Sequence, residues 1–123
     1  MATCSSNNLF IKKGDDKYFI LTFKDNDQQV IDISTWVVFF TAKKNIGDTD
    51  EEAVIKKNVG PGEEEEHFDP TNGITKIHLT HVDTNINTGN YYYDIQIKKE
   101  NGDIVTILTG LLIVTNEITR RDG

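Results

Sequence analysis

The stretch YYYDIQIKKENGDIVTILTGLLIVT, residues 91–115, decides the fold class. Tyr91 and Tyr93 alternate with polar residues such as Asp94, which is the period-two pattern of a half-buried strand. The pair Asn101-Gly102 follows, and such pairs favour a tight turn between antiparallel strands because both residues tolerate positive φ. A long run rich in β-branched residues comes next. We therefore predict an antiparallel pair of strands over residues 91–98 and 104–115.

Short runs of the same kind occupy most of the chain and are separated by Gly- and Asn/Asp-containing turn clusters. They predict strands over 17–23, 32–45 and 74–80, and a short edge strand over 53–57. The one local helical signal is Thr80 followed three residues later by Asp83, which resembles a capping box and predicts a single helical turn over 80–85. Val82 and Ile86 would then cover one end of the core. We expect one domain over 1–123, an all-β sandwich of about seven antiparallel strands, with flexible arms at 1–6 and 117–123.

The strand over 32–45 has apolar residues on both faces. Trp36, Val38 and Phe40 are predicted to face the core of the sandwich, because only one face of each sheet meets that core. Val37 and Phe39 then need a second cover, for which two alternatives remain: the long acidic loop that follows, or another protein.

Composition excludes several classes of function. The chain carries a net charge of −7 and has a pI of about 4.8, so it repels phosphate backbones and we expect no nucleic-acid partner. Its apolar runs are too short to span a bilayer, which argues against membrane insertion. Cys4 is the single cysteine and can form no intrachain disulfide.

Two features resemble the immunoglobulin sandwich. Trp36 is centrally placed, like the core tryptophan on the third strand of that fold, and the turn Gly89-Asn90-Tyr91 leads into a later strand as a tyrosine corner does. Tyr93 then occupies the position of the second disulfide cysteine of an antibody domain. The resemblance implies an immunoglobulin-like topology without the covalent bridge.

A second resemblance covers nearly the whole chain. The order of its motifs is similar to that of the amino-terminal domain of phage baseplate upper proteins. The matching positions are Asp32, Ile33, Ser34, Thr35, Val38, Phe40, Lys43 and Lys44; the short strand 53–57; the segments 73–80 and 89–97; and Gly102, Thr106, Leu108, Gly110, Leu112 and Val114.

This resemblance implies a virion structural module, made and assembled in the bacterial host cytoplasm. The module would be an adaptor in a tail or baseplate that contacts other virion proteins or further copies of itself, with no enzymatic activity and no cofactor. The chain departs from the family pattern at two positions. Thr35 stands where the family usually has a glycine, and Trp36 stands where the family usually has a small residue. Family members also commonly continue into stalk or trimerisation segments.

The residues themselves indicate little chemistry. No nucleophile–base pair is visible, and His67, His78 and His81 are expected to be solvated surface residues. The acidic loop offers weak calcium candidates, but its spacing departs from that of an EF-hand. These candidates are Asp48, Asp50, Glu51 and Glu52.

The partner-binding candidates are Val37, Phe39, Arg120 and Arg121, since an arginine fork suits a carboxylate on a partner. Two alternative functions remain beside the virion module. One is a carbohydrate-binding sandwich with Tyr18, Tyr92 and Trp36 as stacking aromatics. The other is a calcium-dependent adhesion domain built on the acidic loops.

Overall fold

The computed structural model describes residues 5–6, 8–45, 47–63 and 65–116, and in these ranges the chain is nearly all β, as the sequence predicts. Two 3-10 helices cover Asp50–Glu52 and Pro70–Asn72. The strands are β1 (Ser5–Ser6), β2 (Leu9–Lys12), β3 (Lys17–Thr22), β4 (Val37–Lys43), β5 (Ile55–Val59), β6 (Ile74–Leu79), β7 (Gly89–Lys98) and β8 (Ile104–Thr115). β1 lies inside the segment 1–6 that was expected to be an arm, while 117–123 falls outside the described residues.

The strands form two sheets that pack as a sandwich. The large sheet has the order β1/β2-β8-β7-β4-β5, and the small sheet pairs β3 with β6. β5 is an edge strand, as predicted. The expectation of an all-antiparallel sandwich is wrong for the amino-terminal strands, because β1 and β2 both pair with β8 in parallel.

The predicted hairpin between β7 and β8 is confirmed, with Lys98 opposite Ile104 and Tyr91 opposite Leu112. Its turn differs from the expected two-residue form. The Gly102 N–H donates to the Lys99 carbonyl, and Gly102 alone takes a positive φ of +95°, so the loop is a type I turn with a glycine bulge. A second irregularity follows Ile95, where the register of β8 shifts by one residue.

Phe40 lies at the centre of the core. It is fully buried and its ring stacks between Phe19 and Tyr93, at centroid distances of 6.3 and 5.5 Å. Val38, also predicted to be a core residue, is fully buried beside it on β4. Burial of each such side chain contributes roughly 1.5–3 kcal/mol, so β4 is held mainly by its core face.

Trp36 is not at the centre of the core, and the strand predicted over 32–45 starts five residues later than expected. The Asp32 side chain accepts a hydrogen bond from the Ser34 N–H at 2.9 Å, which bends the backbone into a turn before β4. Trp36 follows that turn, half-buried at one end of the core. Its ring meets Phe23 edge-on at 5.5 Å, and the Lys99 ammonium lies 5.7 Å from its centroid.

The predicted turn over 80–85 is present. The Thr84 N–H donates to the Thr80 carbonyl, the Thr80 N–H donates to Asp83 Oδ2 at 2.8 Å, and the Asp83 N–H donates to Thr80 Oγ1 at 3.2 Å. These reciprocal bonds are those of a capping box. Ile86 packs on the core as expected, but Val82 is 71% exposed, so its predicted covering role is wrong.

Candidate interaction surface

The outer face of the large sheet is not covered by another described strand or helix. Alternation along β4, β7 and β8 sends one set of side chains to the core and the other set outward. The outward set surrounds an open depression of about 970 Å³. Its apolar lining comes from Phe39, Tyr92, Ile104 and Leu111, and Thr41, Asn58, Gln96 and Thr109 add hydrogen-bonding groups.

Phe39 therefore lies where the sequence predicts, on the face opposite to Phe40, and Val37 lies on the same outer face. No described residue of the connection 44–54 lines the depression beside Phe39, so the described part of the acidic loop does not support the first alternative for its cover. Apolar side chains that lie together on an uncovered sheet face are typical of surfaces that bind other proteins.

The charge of this face is opposite in sign to the net charge of the whole chain. The outward positions of its strands include one carboxylate, Asp94, and four lysines: Lys12, Lys43, Lys56 and Lys98. The face is thus formally positive, although the whole chain has a net charge of −7. A partner with carboxylates around an apolar centre would match it best.

The outer face of the small sheet carries a second, smaller patch. The Tyr18 ring stacks on His78 with 4.2 Å between the centroids, and the Lys76 ammonium lies 5.1 Å from the Tyr18 ring and 5.0 Å from the Phe68 ring. Ile20 is 66% exposed beside them. This patch is positive as well, through Lys76, and it lies on the opposite side of the sandwich from the depression.

The aromatic residues proposed for sugar stacking do not form one platform. Tyr18 lies on the outer face of the small sheet, Tyr92 lies on the outer face of the large sheet, and Trp36 is half-buried against Phe23. A flat sugar ring needs aromatic faces on one side of it, so this arrangement does not favour the carbohydrate alternative.

The calcium candidates in the acidic loop bind their own backbone. Asp48 Oδ2 accepts from the Asn45 N–H at 3.0 Å, and Glu52 Oε1 accepts from the Thr49 N–H at 2.9 Å. Asp50, Glu51 and Glu52 form a single 3-10 turn. Within the described ranges, no group of three or more His, Cys, Asp or Glu residues has the geometry to hold a metal ion.

The three histidines have different surroundings. His67 is half-buried and makes two long-range hydrogen bonds: its Nε2 is 2.6 Å from the Trp36 carbonyl oxygen, and its Nδ1 is 2.8 Å from Thr75 Oγ1. A carbonyl can only accept, so Nε2 carries a hydrogen and donates it to Trp36, while the fully buried Thr75 hydroxyl is the partner of Nδ1. The expectation that all three histidines are solvated is wrong for His67. A single sequence contains no signal for this pairing.

His78 and His81 both approach Asp16. The His81 N–H donates to Asp16 Oδ1 at 2.7 Å, and the His78 Nε2 lies 3.5 Å from the same oxygen without forming a hydrogen bond. The backbone bond from His81 holds the pKa of Asp16 below its ordinary value of 3.8.

An ion pair links β5 to the capping-box turn. Lys57 Nζ lies 2.7 Å from Asp83 Oδ2, and both side chains are about three-quarters buried. Burial alone would raise the pKa of Asp83, but the hydrogen bonds from Lys57 and Thr80 outweigh it and place that pKa below 3.8.

Tyr91 begins the inward face of β7, and its hydroxyl donates to the Asn87 carbonyl at 2.6 Å. Burial raises the pKa of this hydroxyl and that of Tyr93.

Of the predicted partner-binding residues, Arg120 and Arg121 lie outside the described residues.

No protein-family model matches the chain, and a search of curated proteins finds no significant match. Within the described residues, no helix has the length and apolarity that crossing a membrane requires.

Proposed function

We propose that the chain is a protein–protein interaction module of a phage particle, an adaptor in a tail or baseplate, and that it binds its partner through the outer face of the large sheet. The observation that carries the proposal is the uncovered depression lined by Phe39, Tyr92, Ile104 and Leu111. A monomeric protein rarely leaves so many apolar groups together on one face without a partner.

The immunoglobulin-like arrangement is part of the proposal. The division into a β8-β7-β4-β5 sheet and a β3-β6 sheet is the one expected if these strands correspond to G-F-C-C′ and to B-E of a variable-type domain. The hydrogen bond from Tyr91 to Asn87, four residues upstream, has the form of a tyrosine corner. Both features support a rigid sandwich that presents one broad sheet face.

Support for a virion location comes from the order of motifs along the sequence, which resembles that of the phage baseplate family. The partner would then be another virion protein or a further copy of the chain. Neither catalysis nor a cofactor is needed for such a role, because apolar contact and polar complementarity supply the binding energy.

A photo-crosslinking experiment in assembled particles tests the proposal. The photoreactive amino acid benzoylphenylalanine replaces Tyr92 in one variant and Tyr18 in the other, so that the same residue type is replaced on opposite faces of the sandwich. Tyr92 is 43% exposed and Tyr18 is 52% exposed, so both probes reach solvent.

We expect the Tyr92 probe to crosslink to a virion protein at a fixed ratio in purified particles, and the Tyr18 probe to do so much less. Absence of the chain from purified particles would refute the virion role. Equal crosslinking from both positions would refute the assignment of the binding face.

A further inference from the structure

We infer that the outer face of the large sheet receives the acidic loop end of a second copy of this chain, in a head-to-tail contact. The inference rests on the proposed function, since it names the occupant of the same face. It is carried by the charges that the fold places on two separate surfaces.

Three connections meet at the end of the sandwich where β4 begins. The Ile33 N–H donates to the Pro70 carbonyl, Gly60 approaches Trp36, and Lys98 pairs with Val37 just before the turn to β8. The connections 23–36, 60–73 and 99–103 therefore share this end. Their sequences contain ten carboxylates and two lysines.

The opposite end of the sandwich is less acidic. Its connections 13–16, 44–54 and 80–88 contain seven carboxylates and two lysines. One of those carboxylates, Asp83, is already paired with the Lys57 ammonium within the chain. The end beside the start of β4 is thus the stronger source of negative potential.

Charge also selects among the ways in which two copies can meet. A two-fold contact of two large-sheet faces would bring Lys56 and Lys98 of one copy toward the lysines of the other. Packing the small-sheet face into the depression would bring the positive patch that contains Lys76 toward the lysines of the large-sheet face. Like charges that face each other across an interface cost several kcal/mol, so both arrangements are disfavoured. The acidic loop end meets the same lysines with opposite charge.

A contact between two different surfaces cannot close by a two-fold axis, so it generates a ring or an open chain of copies. Both are assemblies that a repeated module of a particle can use. Because charges at the edge of such a contact are exposed, the association should weaken as salt screens them.

Analytical ultracentrifugation of the purified chain tests the inference with two charge-reversed variants. Lys56→Glu/Lys98→Glu reverses charge on the sheet face, and Glu66→Lys/Glu100→Lys reverses charge on the loop end. All four side chains are exposed, so the fold should tolerate both variants. Lys56 and Lys98 lie in strands, and Glu66 and Glu100 lie in the connections between strands. Circular dichroism checks that each variant remains folded.

We expect the wild-type chain to self-associate at about 50 mM salt and to lose at least about tenfold in affinity near 500 mM. Each variant alone should be monomeric, and an equal mixture of the two should associate again, because each supplies the charge that the other lacks. Normal association of Glu66→Lys/Glu100→Lys alone would refute the head-to-tail contact and indicate a face-to-face dimer.

A wild-type chain that stays monomeric at all salt concentrations would also refute the inference. The proposed function is judged separately, by whether the Tyr92 probe crosslinks in particles. Crosslinking to a different virion protein, combined with a monomeric free chain, would keep the proposed function and assign the face to an acidic partner other than this chain.

Discussion

Replacing Tyr91 by phenylalanine tests whether the hydrogen bond at the start of β7 stabilises the sandwich. The hydroxyl donates to the Asn87 carbonyl at 2.6 Å, while the ring is buried and has the Lys44 ammonium 5.0 Å from its centroid. Phenylalanine keeps the ring and its packing and removes only the hydroxyl, so the change isolates one hydrogen bond.

The expected cost follows from the burial of the two groups. A typical hydrogen bond contributes about 0.5–1.5 kcal/mol, and a carbonyl left without a partner in a buried place costs about 1–3 kcal/mol. Asn87 is itself exposed, so water can partly replace the hydroxyl. We expect the free energy of unfolding to fall by about 1–2 kcal/mol, which lowers the melting temperature by about 3–8 °C in a domain of this size.

Tyr92→Phe is the matched control, because the neighbouring residue points to the outer face of the sheet and is 43% exposed. Its free energy of unfolding should change by less than about 0.5 kcal/mol. Urea unfolding measures both variants, with an unchanged m-value as the check that only stability has changed. Equal effects of the two substitutions would refute the stabilising role of the Tyr91 hydroxyl.

Three further predictions concern the loops that close the sandwich. Gly60→Ala should lower the free energy of unfolding by about 2–4 kcal/mol, because a Cβ there would lie 2.6 Å from the Trp36 carbonyl oxygen. Gly62 also has a positive φ but has open space around it, so Gly62→Ala should lower the free energy of unfolding by only about 1 kcal/mol. Equal melting temperatures of the two variants would contradict the clash. His67→Ala should lower the free energy of unfolding in urea by about 2–3 kcal/mol, because two hydrogen bonds are lost. His81→Ala should lower it by less than about 0.5 kcal/mol. Similar losses in the two variants would contradict the role of His67 in linking Trp36 to Thr75. The folded pKa of Asp83 lies below 3.8, so its ionised form stabilises the fold above that pH, and this stability is lost as the pH falls through the folded pKa. Wild-type and Asp83→Asn should therefore differ in stability at pH 7, and the difference should shrink as the pH falls below 3.8. A constant difference would contradict the ion pair.

The sequence predicts the strands that have one apolar face, because their alternation is set by residues a few positions apart. Phe40 and Val38 point inward, and Phe39 points outward, as the pattern requires. The hairpin of β7 and β8 is equally local, since its turn residues and both strands lie within one stretch.

Features that depend on distant residues could not be predicted in this way. The parallel pairing of β2 with β8 joins residues about a hundred positions apart, and nothing in the four residues of β2 specifies the direction of pairing. His67 contacts Trp36 and Thr75 because the 60–73 connection lies over the end of the core, which brings together residues from separate parts of the chain. Trp36 was misplaced for a related reason: the turn made by Asp32 shortens β4 and moves the indole to the edge.

The candidate surface was predicted in part. Alternation along the predicted strand places two of its residues, Val37 and Phe39, on the outer face. Because that strand has apolar residues on both faces, the sequence also indicates that the outer face needs a cover. The other large apolar side chains of the lining come from β7 and β8, where Tyr92, Ile104 and Leu111 become neighbours of Phe39 only through the order of strands in the sheet. Strand order is a property of the whole chain, so periodicity alone could not assemble this set.

The unequal sizes of the two sheets explain why stability and binding should be separable in this protein. The two-stranded sheet is narrower than the sheet that it packs on, and the connections at the ends of the strands help to enclose the core. Those connections are held by specific polar contacts, Lys57 with Asp83 and His67 with Trp36, rather than by a strand ladder. The outer face of the large sheet takes no part in that closure. Substitutions in the connections should therefore lower stability, whereas substitutions of exposed lysines on the outer face should alter association and leave the fold intact.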